Sequence, residues 1–289
     1  LEKQKPAAKP EDDKKTEDYE KLKNTMRPSH ADYTGYVKYN GFNDYRGGGH
    51  FSGRLTAPLV FAGAICKQIL KAMGITIVSH IISIGEKKDK PFDSVNIEED
   101  VLKIMENKDF PVLDQQSGFL MKEVIAGAKG QKDSVGGVVE TAVLGIGPGI
   151  GEPFFDSVES ILAHLIFSIP GVKGLEFGAG FDISRMHGSK ANDEYYLDNG
   201  LVRTYSNNNG GILGGITDGM PIIFRTAFKP TPSIGRPQRT IDIEARKNVE
   251  IEIRGRHDPC IVPRAVPVVE AVTAIALLEL ITRSESKCI

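Results

Sequence analysis

Apolar residues fill positions 55–73 closely enough to predict a buried helix, which Gly74 stops. The β-branched run at 75–84 predicts a strand, and alternation at 135–146 predicts another. Shorter amphipathic stretches at 98–107 and 117–129 predict helices. A helix is expected at 156–166, a strand at 171–181, and an irregular polar stretch at 184–199. Two apolar segments, 211–216 and 221–228, read as a hairpin joined by Thr217, Asp218 and Gly219. Further strand material falls at 241–253, and a long apolar helix at 265–283. This mixture of helices with antiparallel-looking strand pairs predicts an α+β fold rather than regular βαβ winding. Residues 1–24 are rich in Lys, Glu, Asp and Pro, lack apolar periodicity and read as a solvated leader. Residues 25–289 are expected to form a single domain.

Composition narrows the picture only a little. With 40% hydrophobic and 26% charged residues, the 289-residue chain supports a packed core. A net charge of -2 gives no global argument for nucleic acid or an acidic membrane. Cys66, Cys260 and Cys288 lack C-x-x-C spacing, which favours a reducing compartment over structural zinc. No signal peptide and no bilayer-spanning run are read from the sequence, so a soluble cytoplasmic protein without membrane or nucleic-acid partners is expected.

Candidate chemistry concentrates in a few loops. Arg27, Pro28, Ser29, His30, Ala31 and Asp32 are followed by Asp44 to Arg54, a segment holding Arg46, a Gly47–Gly49 triplet, His50, Phe51, Ser52 and Arg54. Glycine admits close backbone approach, and cations beside a helix start outline an anion site. His30 serves either as a proton donor or anion contact, or as a turn cap. The segment 207–216, with three Asn and four Gly, reads as a polar ligand edge or as tight turns. Lys229, Pro230, Thr231, Pro232 and Ser233 form a rigid loop that either holds a phosphate or simply crosses over. Arg254, Arg256, His257 and Asp258 crowd one further loop, where Asp258 is a candidate base or His-orienting group. Pro148 interrupts the glycine pattern at 145–151, and no acidic partner follows, so a dinucleotide site is rejected. Residues 86–90 read as a solvated turn.

Together these motifs resemble the chorismate synthase family, from about Tyr19 to Arg283. The resemblance implies a β-α-β sandwich with helices packed between antiparallel sheets, assembled as a homotetramer. It implies 1,4-elimination of phosphate from 5-enolpyruvylshikimate 3-phosphate to chorismate, a shikimate-pathway step in aromatic amino acid biosynthesis. Reduced FMN is the implied cofactor, with NADPH as one source of its electrons. Carried over by motif, His30 and Asp258 are catalytic, while Arg46 and Arg54 face the small-molecule substrate. His50, Phe51, Ser52, Pro170, Gly171, Gly214, Lys229, Pro230, Thr231, Pro232, Ser233 and Arg256 contact the cofactor.

Two departures from the family pattern stand out. His50, Phe51 and Ser52 replace a common Arg-Ser-Ser, which implies weaker or pH-dependent anion binding. The family's leading segment, with its Gly-Glu-Ser-His-Gly motif, is not read in this sequence, where the charged leader stands in its place; either the sequence is a fragment or its start was lost or replaced. The resulting expectation is a poorly active chain. The alternatives are a non-catalytic flavin-binding or assembly remnant, and a flavin oxidoreductase consuming NAD(P)H.

Overall fold

The structure, a computed structural model, describes residues 23–45, 48–105, 108–253 and 257–285. Its helices are α1 (Asp32–Lys38), α2 (Thr56–Ala72), α3 (Glu99–Met105), α4 (Gln115–Gly130), α5 (Val158–Ile166), α6 (Gly188–Ala191) and α7 (Val262–Glu285). The strands are β1 (Thr76–Ile84), β2 (Lys87–Lys88), β3 (Gly137–Leu144), β4 (Val172–Phe177), β5 (Tyr195–Asp198), β6 (Leu201–Thr204), β7 (Ile212–Leu213), β8 (Ile216–Thr217), β9 (Ile222–Phe228), β10 (Gln238–Asp242) and β11 (Lys247–Ile251). The chain forms two compact units: one runs to Leu55 and resumes over Pro232–His257, and the other holds Thr56–Thr231 and the chain from Asp258 onward.

The larger unit is built on an antiparallel sheet of order β2-β1-β3-β9-β4. Alternation sends Ile77, Ile81, Val139, Val143, Ile222 and Phe224 into the main core with Val269 and Leu277 of α7. The opposite face buries Val78, Ala142 and Ile223 with Phe92 and Met105. Helix starts are fixed locally: the Asp114 side chain accepts from the Ser117 N–H, and the Ser157 hydroxyl from the Ser160 N–H. Gly74, at φ +83°, ends α2 as the sequence implied.

In the smaller unit, β10 and β11 form a hairpin; the strand material expected at 241–253 covers β11 but only the end of β10. Residues 24–26 lie along β10, with Met26 N–H donating to Ile241 O (3.1 Å) and Ile243 N–H to Asn24 O (3.0 Å).

Several expectations need correction. Helix α2 is not buried all round: Gly63 and Leu70 are buried, but Phe61 (73% exposed), Ile65, Ile69 and Met73 form an outward stripe at four-residue spacing. The hairpin at 211–228 turns at Gly214 and Gly215, pairing β7 with β8, while β9 joins the main sheet instead. The stretch at 184–199 is not irregular throughout, since it contains α6 and the first strand of the β5–β6 hairpin. Asp89 is not part of a solvated turn. It is buried, and accepts from the Leu113 (2.5 Å) and Asp114 (3.0 Å) N–H groups. Two helical spans, Gly53–Ala72 and Val262–Ser284, are long and apolar enough to cross a bilayer by length and composition, contrary to the reading that no run suffices. The second is 67% buried inside the protein, as core helices are.

Candidate active site

In the smaller unit, the segment 27–32 closes on itself through a forked ion pair. Arg27 Nε and Nη2 each lie 2.7 Å from an Asp32 carboxylate oxygen, and the Arg27 backbone N–H donates to Oδ2 at 3.0 Å. Burial pushes the Asp32 carboxyl upward, but hydrogen bonds and charge from Arg27, with a contribution from His30, hold it below its ordinary value. This brace presents His30, whose Nε2 lies 2.8 Å from Ser233 Oγ. Two predicted site residues 203 positions apart are thereby brought together.

The glycine-rich loop follows. Gly48 and Gly49 adopt left-handed φ values of +87° and +48°, which a side chain would strain. His50 and Phe51 rings pack 4.2 Å apart, and Tyr39, which sequence reasoning missed, closes edge-on against His50 at 5.3 Å. Ser52 Oγ accepts from the Arg54 N–H (3.3 Å) and Nε (3.1 Å), turning the guanidinium back over its own loop. Arg46 and Arg256 lie outside the described residues.

In the larger unit, Lys229 N–H donates to Gly171 O at 2.9 Å, so two predicted cofactor segments, 170–171 and 229–231, meet through the backbone. Gly171 sits at φ +95°, and a Cβ there would come within 3.0 Å of Ile261. Burial, aided by the nearby Lys173 charge, lowers the Lys229 pKa. Thr231 offers its carbonyl to Ser134 Oγ (2.6 Å), while its own buried Oγ1 has no hydrogen-bond partner. Asp258 Oδ2 pairs with Arg264 Nη1 at 3.1 Å, and its Oδ1 accepts from the Cys260 N–H at 3.3 Å. Gly214 is at the β7–β8 turn, with φ +63° and open space where a Cβ would stand.

The Asn side chains at 207–209 serve the turns. Asn207 Nδ2 donates to Ser94 O and Pro221 O, each at 2.8 Å. Asp193, another residue missed from sequence, accepts from Ser206, Asn208 and Asn209. These bonds outweigh its burial and lower its pKa. A cavity of about 460 Å³ lies against Lys67, Lys71, Val78, Leu102, Met105 and Glu270, and none of the described site residues lines it.

Against known structures, the chain is similar over 88% of its length, and 70% of the other chain, to a crystal structure of a chorismate synthase (TM-score 0.71, 32% identity). The α+β expectation holds, and the architecture is that of a carbon–oxygen lyase. A family model described as chorismate synthase matches residues 10–282. Chorismate synthases of Korarchaeum cryptofilum and Pyrococcus abyssi are 45% and 49% identical, over 92% and 90% of this chain and 73% and 71% of theirs. That of Dehalococcoides mccartyi is 48% identical over 92% of this chain and 72% of its own. The chain belongs to the chorismate synthase family.

Proposed function

We propose that this chain eliminates phosphate from 5-enolpyruvylshikimate 3-phosphate to give chorismate. The observation that carries this is the match over residues 10–282 to the family, a span that includes His30, 229–233 and Asp258. A non-catalytic remnant is not favoured, since the similarity covers 92% of this chain and 73% of a chorismate synthase.

FMN fits the residues present. The unpartnered buried Thr231 hydroxyl and the Lys229 ammonium suit a phosphate, and the open left-handed Gly214 leaves backbone room beside a planar group. Reduced FMN, when bound, would lend electron density transiently to the substrate while its phosphate leaves. His50, Phe51, Ser52, Pro170, Gly171, Pro230, Pro232, Ser233 and Arg256 are proposed as its further contacts. His30 holds a proton at its ring, oriented by Ser233 through Nε2. Asp258, fixed by Arg264, assists proton removal, and Arg46 and Arg54 bind the anionic groups of the substrate. A cytoplasmic homotetramer, with NADPH as one reductant, completes the proposal by analogy with the family.

An anaerobic assay with chemically reduced FMN tests it. Chorismate and phosphate released in equal amounts at a catalytic rate support the reading. Flavin binding without product rejects it in favour of a non-catalytic binder.

A further inference from the structure

Four charged side chains stand in register across the main sheet, on strands that are largely apolar elsewhere. His80 on β1 pairs with Glu140 on β3, Glu140 with Arg225 on β9, and Arg225 with Glu176 on β4. His80 Nε2 lies 2.9 Å from Glu140 Oε2, and Arg225 Nη1 lies 3.6 Å from Glu140 Oε1. Arg225 Nε lies 2.7 Å from Glu176 Oε1. Asp89 extends the row beyond His80, at 3.3 Å from Nδ1. Buried ion pairs contribute little net stability, because desolvation offsets their attraction. Cohesion of the sheet alone is therefore a weak account of this row.

Its outer end does something more specific. Arg225 Nη2 donates to Gly178 O at 2.8 Å, and Glu176 Oε2 accepts from the Phe181 N–H at 3.2 Å. The turn at 178–181 is thus gripped at both ends. That turn in turn seats the Asn-Gly segment: Ala179 N–H donates to Asn208 O at 2.8 Å. Packing leaves no slack. A Cβ on Gly178 would lie 2.1 Å from Asn208 O, and one on Gly180 would lie 2.2 Å from Glu176 Oε2. Any shift of the Arg225–Glu176 pair must therefore be transmitted to Asn208.

We propose that Arg225 and Glu176 are positioning residues, holding the turn at 178–181 and through it the segment 207–214. Its functional consequence rests on the reading of Gly214 as a cofactor contact. Hydrogen exchange tests it on Arg225→Lys, which keeps the charge beside Glu140 but loses the fork. Glu176→Gln, at a part-exposed position that tolerates loss of charge, carries the test if the first variant folds poorly. The amides of Ala179 and Gly210 should exchange about tenfold faster while those of β1 and β3 keep their protection. Oxidised FMN should bind about tenfold more weakly, read by fluorescence titration. Uniform acceleration across the sheet, or unchanged exchange at 178–181 and 207–211, overturns the proposal. Local acceleration with unchanged FMN affinity upholds the positioning role and rejects the Gly214 reading instead.

Discussion

Gly63 of α2 lies so close to Ala271 of α7 that a Cβ on the glycine would stand 2.3 Å from the alanine Cβ. The two long helices meet there backbone to backbone, and the approach lets Leu70 and Leu277 reach full burial. Gly63→Val should force them apart, with overpacking costing about 3 kcal/mol. Urea denaturation measures this. An unchanged midpoint would mean that the helices can slide without loss.

His80 predicts an alkaline limb in stability. Burial alone would lower its pKa, but hydrogen bonds to Asp89 and Glu140 outweigh that and raise it. Its contribution is complete below the unfolded value of about 6.5 and lost as pH rises through the higher folded value. Asp89 runs the opposite way: burial opposes ionisation, yet His80 and three backbone N–H groups lower its pKa. Its contribution is present above the unfolded value of about 3.9 and lost as pH falls through the folded one. Urea midpoints across pH should therefore decline on both sides. His80→Gln should be less stable by about 3 kcal/mol at neutral pH, since it takes the imidazolium from buried Asp89 and leaves Glu140 to Arg225 alone, and should lack the alkaline decline.

The sequence shows what local periodicity controls. Helix α4 follows from spacing because it buries one face, and β1 and β3 follow from near-continuous apolar runs because the sheet is covered on both faces. The β5–β6 hairpin carried a legible signal, Asn199-Gly200 with both residues left-handed between Tyr195–Asp198 and Leu201–Thr204, but the polar run before it concealed it. At 211–219 two turn signals competed, and Gly214-Gly215 prevailed because both residues take positive φ between directly paired strands. Asp89, Asp193 and Arg225 were not legible, since their partners come from distant strands and loops. Within the candidate site, His30 was visible as chemistry but its bond to Ser233 was not. A hydrogen bond spanning 203 residues leaves no local trace.

Cys260 should be chemically inert in the folded chain. Burial pushes its thiol to about 11, opposed by a backbone hydrogen bond and reinforced by the Asp258 charge. Near neutral pH the thiolate fraction is then on the order of one in a thousand or less. Brief iodoacetamide treatment followed by peptide mapping should modify the half-buried Cys66 and spare Cys260 until denaturant is added. Rapid native labelling of Cys260 would show that the segment around Asp258 opens readily.

The bond between His30 Nε2 and Ser233 Oγ makes the last prediction specific to catalysis. Ser233→Ala removes the hydroxyl that lies 2.8 Å from that nitrogen, so the ring loses an orienting contact. The kcat should fall about tenfold, a modest share of what general acid–base groups supply, and the limb of the pH–rate profile governed by His30 should move. Ser233→Thr keeps a hydroxyl at the same place and should restore both. A Ser233 that acted only by touching the flavin would weaken FMN binding and leave the pH profile where it was. Measuring the FMN dissociation constant and kcat across pH for the three chains separates the two roles, because orientation of His30 predicts a moved limb at saturating flavin.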